Sequence, residues 1–151
     1  MANINETLLA ELLKIDASAA RREETNMTAI TVAPSALLAV MKRLREEGFE
    51  YLLNHTAVDY PNEKAIDAVY VVVSFKTMER AMVVCRLDRN NPVVPTISGL
   101  YTNAELMERE AFYFFGVLYD DHPDLRRLFM EDDQVGWPLR KDYEDDFILK
   151  R

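Results

Sequence analysis

Val69-Tyr70-Val71-Val72-Val73 is β-branched and apolar on both of the faces that alternate along a strand. Such a run reads as a central strand covered on both sides. It lies within a longer predicted strand, Ala65 to Phe75, flanked by two others at Phe49 to Val58 and Arg80 to Leu87. The links are short, Pro61-Asn62-Glu63-Lys64 on one side and a turn near Thr77 on the other, so an antiparallel meander is the natural connection. The middle of the chain therefore predicts a sheet.

Working outward toward the N-terminus, Pro34 fits the first turn of a helix. That helix turns Leu37, Leu38, Met41 and Leu44 inward and Lys42, Arg43, Arg45 and Glu46 outward, and it stops at Gly48. A strand near Thr25 to Val32 precedes it. Before that, Asn3 and Glu6 form a capping box for a helix with Ile4, Leu8, Leu9, Leu12 and Leu13 on one face. In the other direction, Arg89-Asn90-Asn91-Pro92 reads as a loop, and Pro92 and Pro95 discourage further central strand. Thr102 with Glu105 is a capping-box pattern for a third helix, which runs through Glu108-Arg109-Glu110 into Phe112-Tyr113-Phe114-Phe115 and ends at Gly116.

The 35 residues after Gly116 have little periodicity and predict an ordered but irregular arm. Leu125, Leu128, Phe129, Met130, Trp137, Leu139, Phe147 and Ile148 make it too apolar for a solvated tail, so it lies on this domain or on a neighbour. The order helix, strand, helix, three strands, helix, arm gives an α+β fold. It is a two-layer domain with a mostly antiparallel sheet, helices packed on it, and a long irregular C-terminal arm. The expected division is a core of residues 1–118 and an arm of residues 119–151, one domain overall.

A chain of 151 residues is long enough for one real core. Its net charge of -8 argues against nucleic-acid binding, which relies on clustered Lys and Arg. The single cysteine, Cys85, excludes an intrachain disulfide, and no Cys cluster offers to hold zinc or an iron-sulfur centre. Met1-Ala2-Asn3-Ile4-Asn5-Glu6 has neither the basic leader nor the apolar run of a signal peptide, which predicts a cytoplasmic chain. The longest apolar run, Ala111 to Tyr119, spans nine residues. A membrane-crossing helix needs about 20.

The chemistry-bearing residues cluster between Thr102 and Tyr143. Glu110 stands one helical turn from Leu106 and Met107 on one side and from Tyr113 and Phe114 on the other, so its carboxylate lies beside an apolar stripe. Such a carboxylate calls for a partner, and Arg126, Arg127 and Arg140 are the nearest guanidinium forks. The expectation is a clasp in which the Arg-rich arm folds back onto the Glu-rich helix. Glu108 and Glu110 are two apart on a helix and form no acid/base dyad. Asp120-Asp121-His122 with Asp124 offers only one nitrogen ligand, and turn hydrogen bonds explain it better than a metal does. No Gly-rich phosphate loop accompanies Arg126, Arg127, Arg140 and Lys141, which favours carboxylate partners. Trp137, between Gly136 and Pro138, is a rigid aromatic suited to anchoring an interface or capping this domain's own core, and both remain open.

Glu108-Arg109-Glu110, Phe115-Gly116, His122-Pro123-Asp124-Leu125-Arg126-Arg127, Gly136 and Pro138-Leu139-Arg140-Lys141-Asp142-Tyr143 occur in that order. Together they closely resemble the signature of the C subunit of NADH:quinone oxidoreductase, respiratory complex I, a pattern shared with membrane-bound energy-converting hydrogenases. The likeness extends weakly to Val94-Pro95-Thr96-Ile97 and to Asn54-His55-Thr56-Ala57-Val58-Asp59-Tyr60. That family usually has Asp where Tyr113 stands and often His where Trp137 stands, which leaves the branch open with a tilt toward the hydrogenases.

The resemblance implies an accessory subunit without a cofactor or membrane span of its own, peripheral to the inner face of the cell membrane. Its partners would be a large hydrogenase-like subunit and a small iron-sulfur subunit. Iron-sulfur clusters, quinone or a nickel-iron site would belong to those partners. On this reading no residue is catalytic, cofactor-binding or metal-binding, and Glu108, Arg109, Glu110, His122, Arg126, Arg127, Trp137, Arg140, Lys141 and Asp142 serve structure or partner docking. The competing expectations are a free-standing enzyme with a pocket around Glu110, His122 and Arg127, or an unrelated soluble adaptor.

Overall fold

The computed structural model describes residues 6–22, 27–128 and 135–145. In chain order the elements are α1 (Glu6–Ile15), β1 (Ala20–Arg22), β2 (Thr28–Val32), α2 (Leu37–Glu46), β3 (Tyr51–Tyr60), β4 (Ala65–Val73), β5 (Arg80–Asp88), β6 (Val93–Pro95), α3 (Ala104–Phe115) and β7 (Leu118–Asp120). Single turns of 3-10 helix, Pro34–Ala36 and Pro61–Glu63, precede α2 and join β3 to β4. The proposed cap at Asn3, with Ile4, lies outside the described residues.

The predicted meander forms: β3, β4 and β5 pair antiparallel in sequence order. The full sheet runs β1-β2-β5-β4-β3, and β2 lies parallel to β5, with Ile30 opposite Val83 and Val32 opposite Cys85. The sheet is thus mixed but mostly antiparallel. One face of β4, made of Ile66, Ala68, Tyr70 and Val72, packs with Ile30, Val32, Val83 and Cys85 against Leu8, Leu9 and Leu12 of α1 and Leu37, Val40, Met41 and Leu44 of α2. Each fully buried aliphatic side chain there contributes roughly 1.5–3 kcal/mol. On the opposite face Val71, Val73 and Val84 are buried as well, beside a buried Asp67 that meets Arg22 at 3.0 Å.

One side chain and two boundaries differ from the sequence reading, each for a local reason. Leu38 is exposed, because Leu37, Val40, Met41 and Leu44 already complete the inward stripe at helical spacing. Strand β3 begins at Tyr51 because Phe49 belongs to the end of α2. Its N–H reaches the Leu44 carbonyl at 3.0 Å and that of Gly48 reaches Arg45 at 3.1 Å, a Schellman cap with Gly48 at φ +92°. The capping box expected at Thr102 does not form: α3 starts at Ala104, and the Asn103 side chain instead donates to the Leu52 carbonyl at 2.7 Å, tying the helix to β3. As expected, α3 ends at Gly116, φ +77°.

Immediately after α3 the chain forms β7, which pairs in parallel with β6 as a separate two-stranded sheet. These three-residue strands carry too little pattern to read from sequence. They bring the turn after β7 back against α3, where the acidic and basic residues meet. No helix among the described residues is long and apolar enough to cross a membrane.

Candidate functional site

Glu108, not Glu110, is the carboxylate that α3 buries. Its side chain is fully covered, while Glu110 faces solvent. The clasp expected around Glu110 is therefore corrected to the other carboxylate: the apolar stripe closes over Glu108, which shares a face with the buried Ala104 and Ala111. Glu108 accepts the Ile97 N–H at 2.8 Å and the Thr96 hydroxyl at 2.5 Å. Burial pushes its carboxyl up to about 7, against the opposing effect of those two bonds.

The His122 ring, also fully covered, lies with Nε2 3.6 Å from that carboxylate. Its Nε2 is 3.0 Å from the Glu105 carbonyl, and its Nδ1 is 3.0 Å from the Asp124 N–H. A carbonyl can only accept and an amide can only donate, so the ring is held as the neutral Nε2–H tautomer. Asp120 and Asp121 point to solvent while His122 turns inward, so the acidic turn does not converge. Among the described residues no three His, Cys, Asp or Glu side chains are grouped to hold a metal ion.

The arm segment beyond residue 135 folds onto the domain and finishes what α3 leaves open. A helix end has carbonyls without partners. Here the Leu139 N–H donates to the Phe114 carbonyl at 3.0 Å, and Arg140 Nε donates to the Phe115 carbonyl at 2.7 Å. The Arg140 cation also suits the negative end of the helix dipole. Trp137 covers Gly116 and lies 5.5 Å from the Phe112 ring, and Arg127 stacks on the indole with 4.8 Å between guanidinium and ring centre.

A second fastening lies at Asp59 on β3. This buried carboxylate accepts Arg89 Nε at 2.6 Å and Nη2 at 3.0 Å, and the Lys141 N–H at 2.9 Å. Arg89 also grips Asp142 at 2.7 Å. The Arg89 hydrogen bonds hold the Asp59 carboxyl below the usual carboxylate range, against the burial that opposes them.

The remaining charges tie the root of the arm to α3. Arg109 donates to the Arg126 carbonyl at 3.2 Å and stands 3.9 Å from Asp124, which in turn pairs with Arg126 at 2.5 Å. The arginines thus meet carbonyls, an aromatic ring and an aspartate rather than Glu110. Glu110, His122 and Arg127 do not converge on a pocket: one faces solvent, one faces Glu108, and one covers Trp137.

Sequence reasoning assigned no role to Asp59, Arg89, Thr96 or Tyr119. Asp59 and Thr96 stood within the weaker blocks of the family likeness, the one signal that pointed to them. His55 is a satisfied core histidine. It is stacked on Tyr70 at 4.1 Å, with Nδ1 2.8 Å from the Val69 carbonyl and Nε2 2.5 Å from the Tyr119 hydroxyl. Burial lowers its imidazole to about 4, so it is neutral.

Fold and site define a two-layer α+β domain closed by its own C-terminal arm, its buried charges each occupied in holding segments together. Residues 30–146 match the family described as "Respiratory-chain NADH dehydrogenase, 30 Kd subunit". The chain belongs to this family, and with it to the subunits of complex I-like or related respiratory membrane complexes. It is 40% identical to the NADH-quinone oxidoreductase C subunit of Moorella thermoacetica, over 91% of this chain and 94% of that one. It is 38% identical to the F(420)H(2) dehydrogenase C subunit of Methanosarcina mazei, over 64% of this chain and 61% of that one. Among solved structures, a chain of the membrane-bound sulfane sulfur reductase, an archaeal respiratory membrane complex, is similar at TM-score 0.77 and 26% identity, covering 92% of this chain and 85% of that one.

Proposed function

We propose that this chain is an accessory subunit of a membrane-associated NADH- or ferredoxin-driven quinone oxidoreductase, or of a related energy-converting hydrogenase. It braces the large hydrogenase-like subunit from the inner face of the membrane. Iron-sulfur clusters, quinone or a nickel-iron site belong to that subunit and to the small iron-sulfur subunit beside it. The observation that carries this reading is the arm. Residues 137–142 are pinned from behind by Gly116, the α3 carbonyls and Asp59, while Val135 and Leu139 remain 87% and 52% exposed. A strap already ordered on its own domain loses little freedom when a partner covers its outward apolar side chains. Trp137 and Arg127 then act as supports under the strap.

Co-expression with the companion subunits tests this directly. Leu139→Asp should leave the isolated chain folded, because the side chain is exposed, and should lower recovery of the large subunit by about tenfold, as loss of an interface anchor does. A complex that assembles and turns over fully without this chain would overturn the reading.

A further inference from the structure

Between the start of α2, the segment after β6 and the turn after β7 lies a groove of about 450 Å³, open along one side. Leu38, Pro95, Gly99 and Pro123 make its surface largely apolar, and Leu38 is 43% exposed there. A Cβ on Gly99 would meet nothing within 4 Å, so the glycine leaves room above the floor. The walls are fastened from behind. The Thr96 N–H donates to the Asp120 carbonyl at 3.0 Å, joining one wall to the other. The Ile97 N–H bond to Glu108 and the His122 ring on the Glu105 carbonyl then tie both walls to α3. A groove held this way is ready-made and costs little ordering when it is filled.

Three carboxylates stand around it: Glu105 in the first turn of α3, Asp120 at the end of β7, and Asp121 in the turn that follows. Among the described residues no Lys, Arg or His lines the groove, and none of the three carboxylates joins an ion pair. Arg109 and Arg126, the nearest guanidiniums in sequence, are turned to Asp124. The two aspartates are exposed and spread along the rim, which suits cations carried along a segment better than a single ion.

We propose that this groove receives a segment of a companion subunit in which an apolar side chain is flanked by Lys or Arg. The apolar side chain lies over Leu38, Pro95 and Pro123 in the room above Gly99, and the cations meet Glu105, Asp120 and Asp121. Burial of the floor drives the contact, and the rim sets its register and turns away acidic partners. A second copy of this chain is a poor occupant, because a net charge of -8 sets like charges against each other. The inference rests on the reading of this chain as a subunit of a larger assembly, and it adds a contact apart from the strap at residues 135–142.

The test uses the full chain co-expressed with the large and small companion subunits. Gly99→Leu fills the groove without crowding its own backbone, so the isolated chain should melt as the parent does while recovery of the companions falls by about tenfold. Neutralising the rim with Glu105→Gln, Asp120→Asn and Asp121→Asn together should lower recovery comparably; Asn is chosen because it accepts the left-handed backbone of Asp121, φ +61°. In the assembled complex, p-benzoylphenylalanine in place of Leu38 should cross-link to a companion segment with Lys or Arg within a few residues of an apolar side chain. Unchanged recovery in either variant would overturn the proposal. So would an adduct with a second copy of this chain, an adduct with a segment lacking Lys and Arg, or no adduct in the assembled complex. If Leu139→Asp impairs assembly while the groove variants do not, the groove falls and the subunit reading stands. Full assembly without this chain removes both.

Discussion

Trp137 fills the space that a side chain on Gly116 would need: a Cβ there would stand 2.5 Å from the indole. The glycine ends α3 in the left-handed region, φ +77°, and the indole seals the outside of that turn. Helix termination and arm docking are thus one event at one residue.

Gly116→Ala should therefore do two things. The left-handed backbone alone costs about 1–2 kcal/mol, and the added methyl group must displace the indole. Trp137 is the only tryptophan in the chain, so its emission reports arm docking directly. Urea unfolding should show the lost stability, and the native-state emission should shift to the red. Unchanged emission would mean that the arm does not rest on Gly116.

Glu108 and His55 should oppose each other in the pH dependence of stability. The Glu108 carboxyl is raised from 4.5 to about 7, so between those values the folded state holds a proton that the unfolded state releases. Stability falls as pH rises through that window, by about 3 kcal/mol. His55 is lowered from 6.5 to about 4, so the unfolded state takes up its proton first on acidification. Stability falls as pH drops through that window, by a similar amount. Where the windows overlap, the two slopes largely cancel. Glu108→Gln should remove one slope and leave the other, giving a chain more acid-sensitive than the parent and more stable than it at about pH 8. Denaturant melts across pH would show both effects.

Arg89→Ala strips the buried Asp59 of its guanidinium and should cost about 3 kcal/mol, since an unpaired buried carboxylate is expensive. Asp142→Ala removes only the exposed partner of Arg89, whose side chain is 62% accessible, and should cost far less. Thermal unfolding of the two variants side by side checks the ratio. Equal losses would mean that Asp59 is not the centre of the clip.

Arg127→Ala should lower stability by about 1 kcal/mol or less if its stacking on Trp137 is its main contribution. Arg127→Lys keeps the charge but gives up the flat stack, and should recover only part of the loss. A drop of several kcal/mol would point instead to its other contacts.

The meander was legible because β4 is so strongly apolar and β-branched, and because Gly48 and Gly116 mark helix ends that only glycine accommodates easily. The insertion of β2 beside β5 was not legible, since no local pattern specifies which edge a distant strand joins. At the site, the blocks around Glu108, His122 and Arg140 drew attention to the right region, but helical periodicity alone could not say whether Glu108 or Glu110 would be covered. That choice depends on the loop at Thr96 and Ile97, which follows β6 where it pairs with β7 and supplies the two donors. Arg89 read as loop because its task depends on Asp59 and Asp142, each far away in the chain.

The parallel pairing of β2 with β5 also sets a schedule for the nascent polypeptide. Residues 28–32 leave the ribosome long before the neighbour they need at 81–85, so the first two helices emerge with no platform to lie on. Closure waits until most of the meander has been translated. A message cut short ahead of Arg80 would yield a greasy fragment unable to finish folding, and cellular proteolysis should clear it quickly.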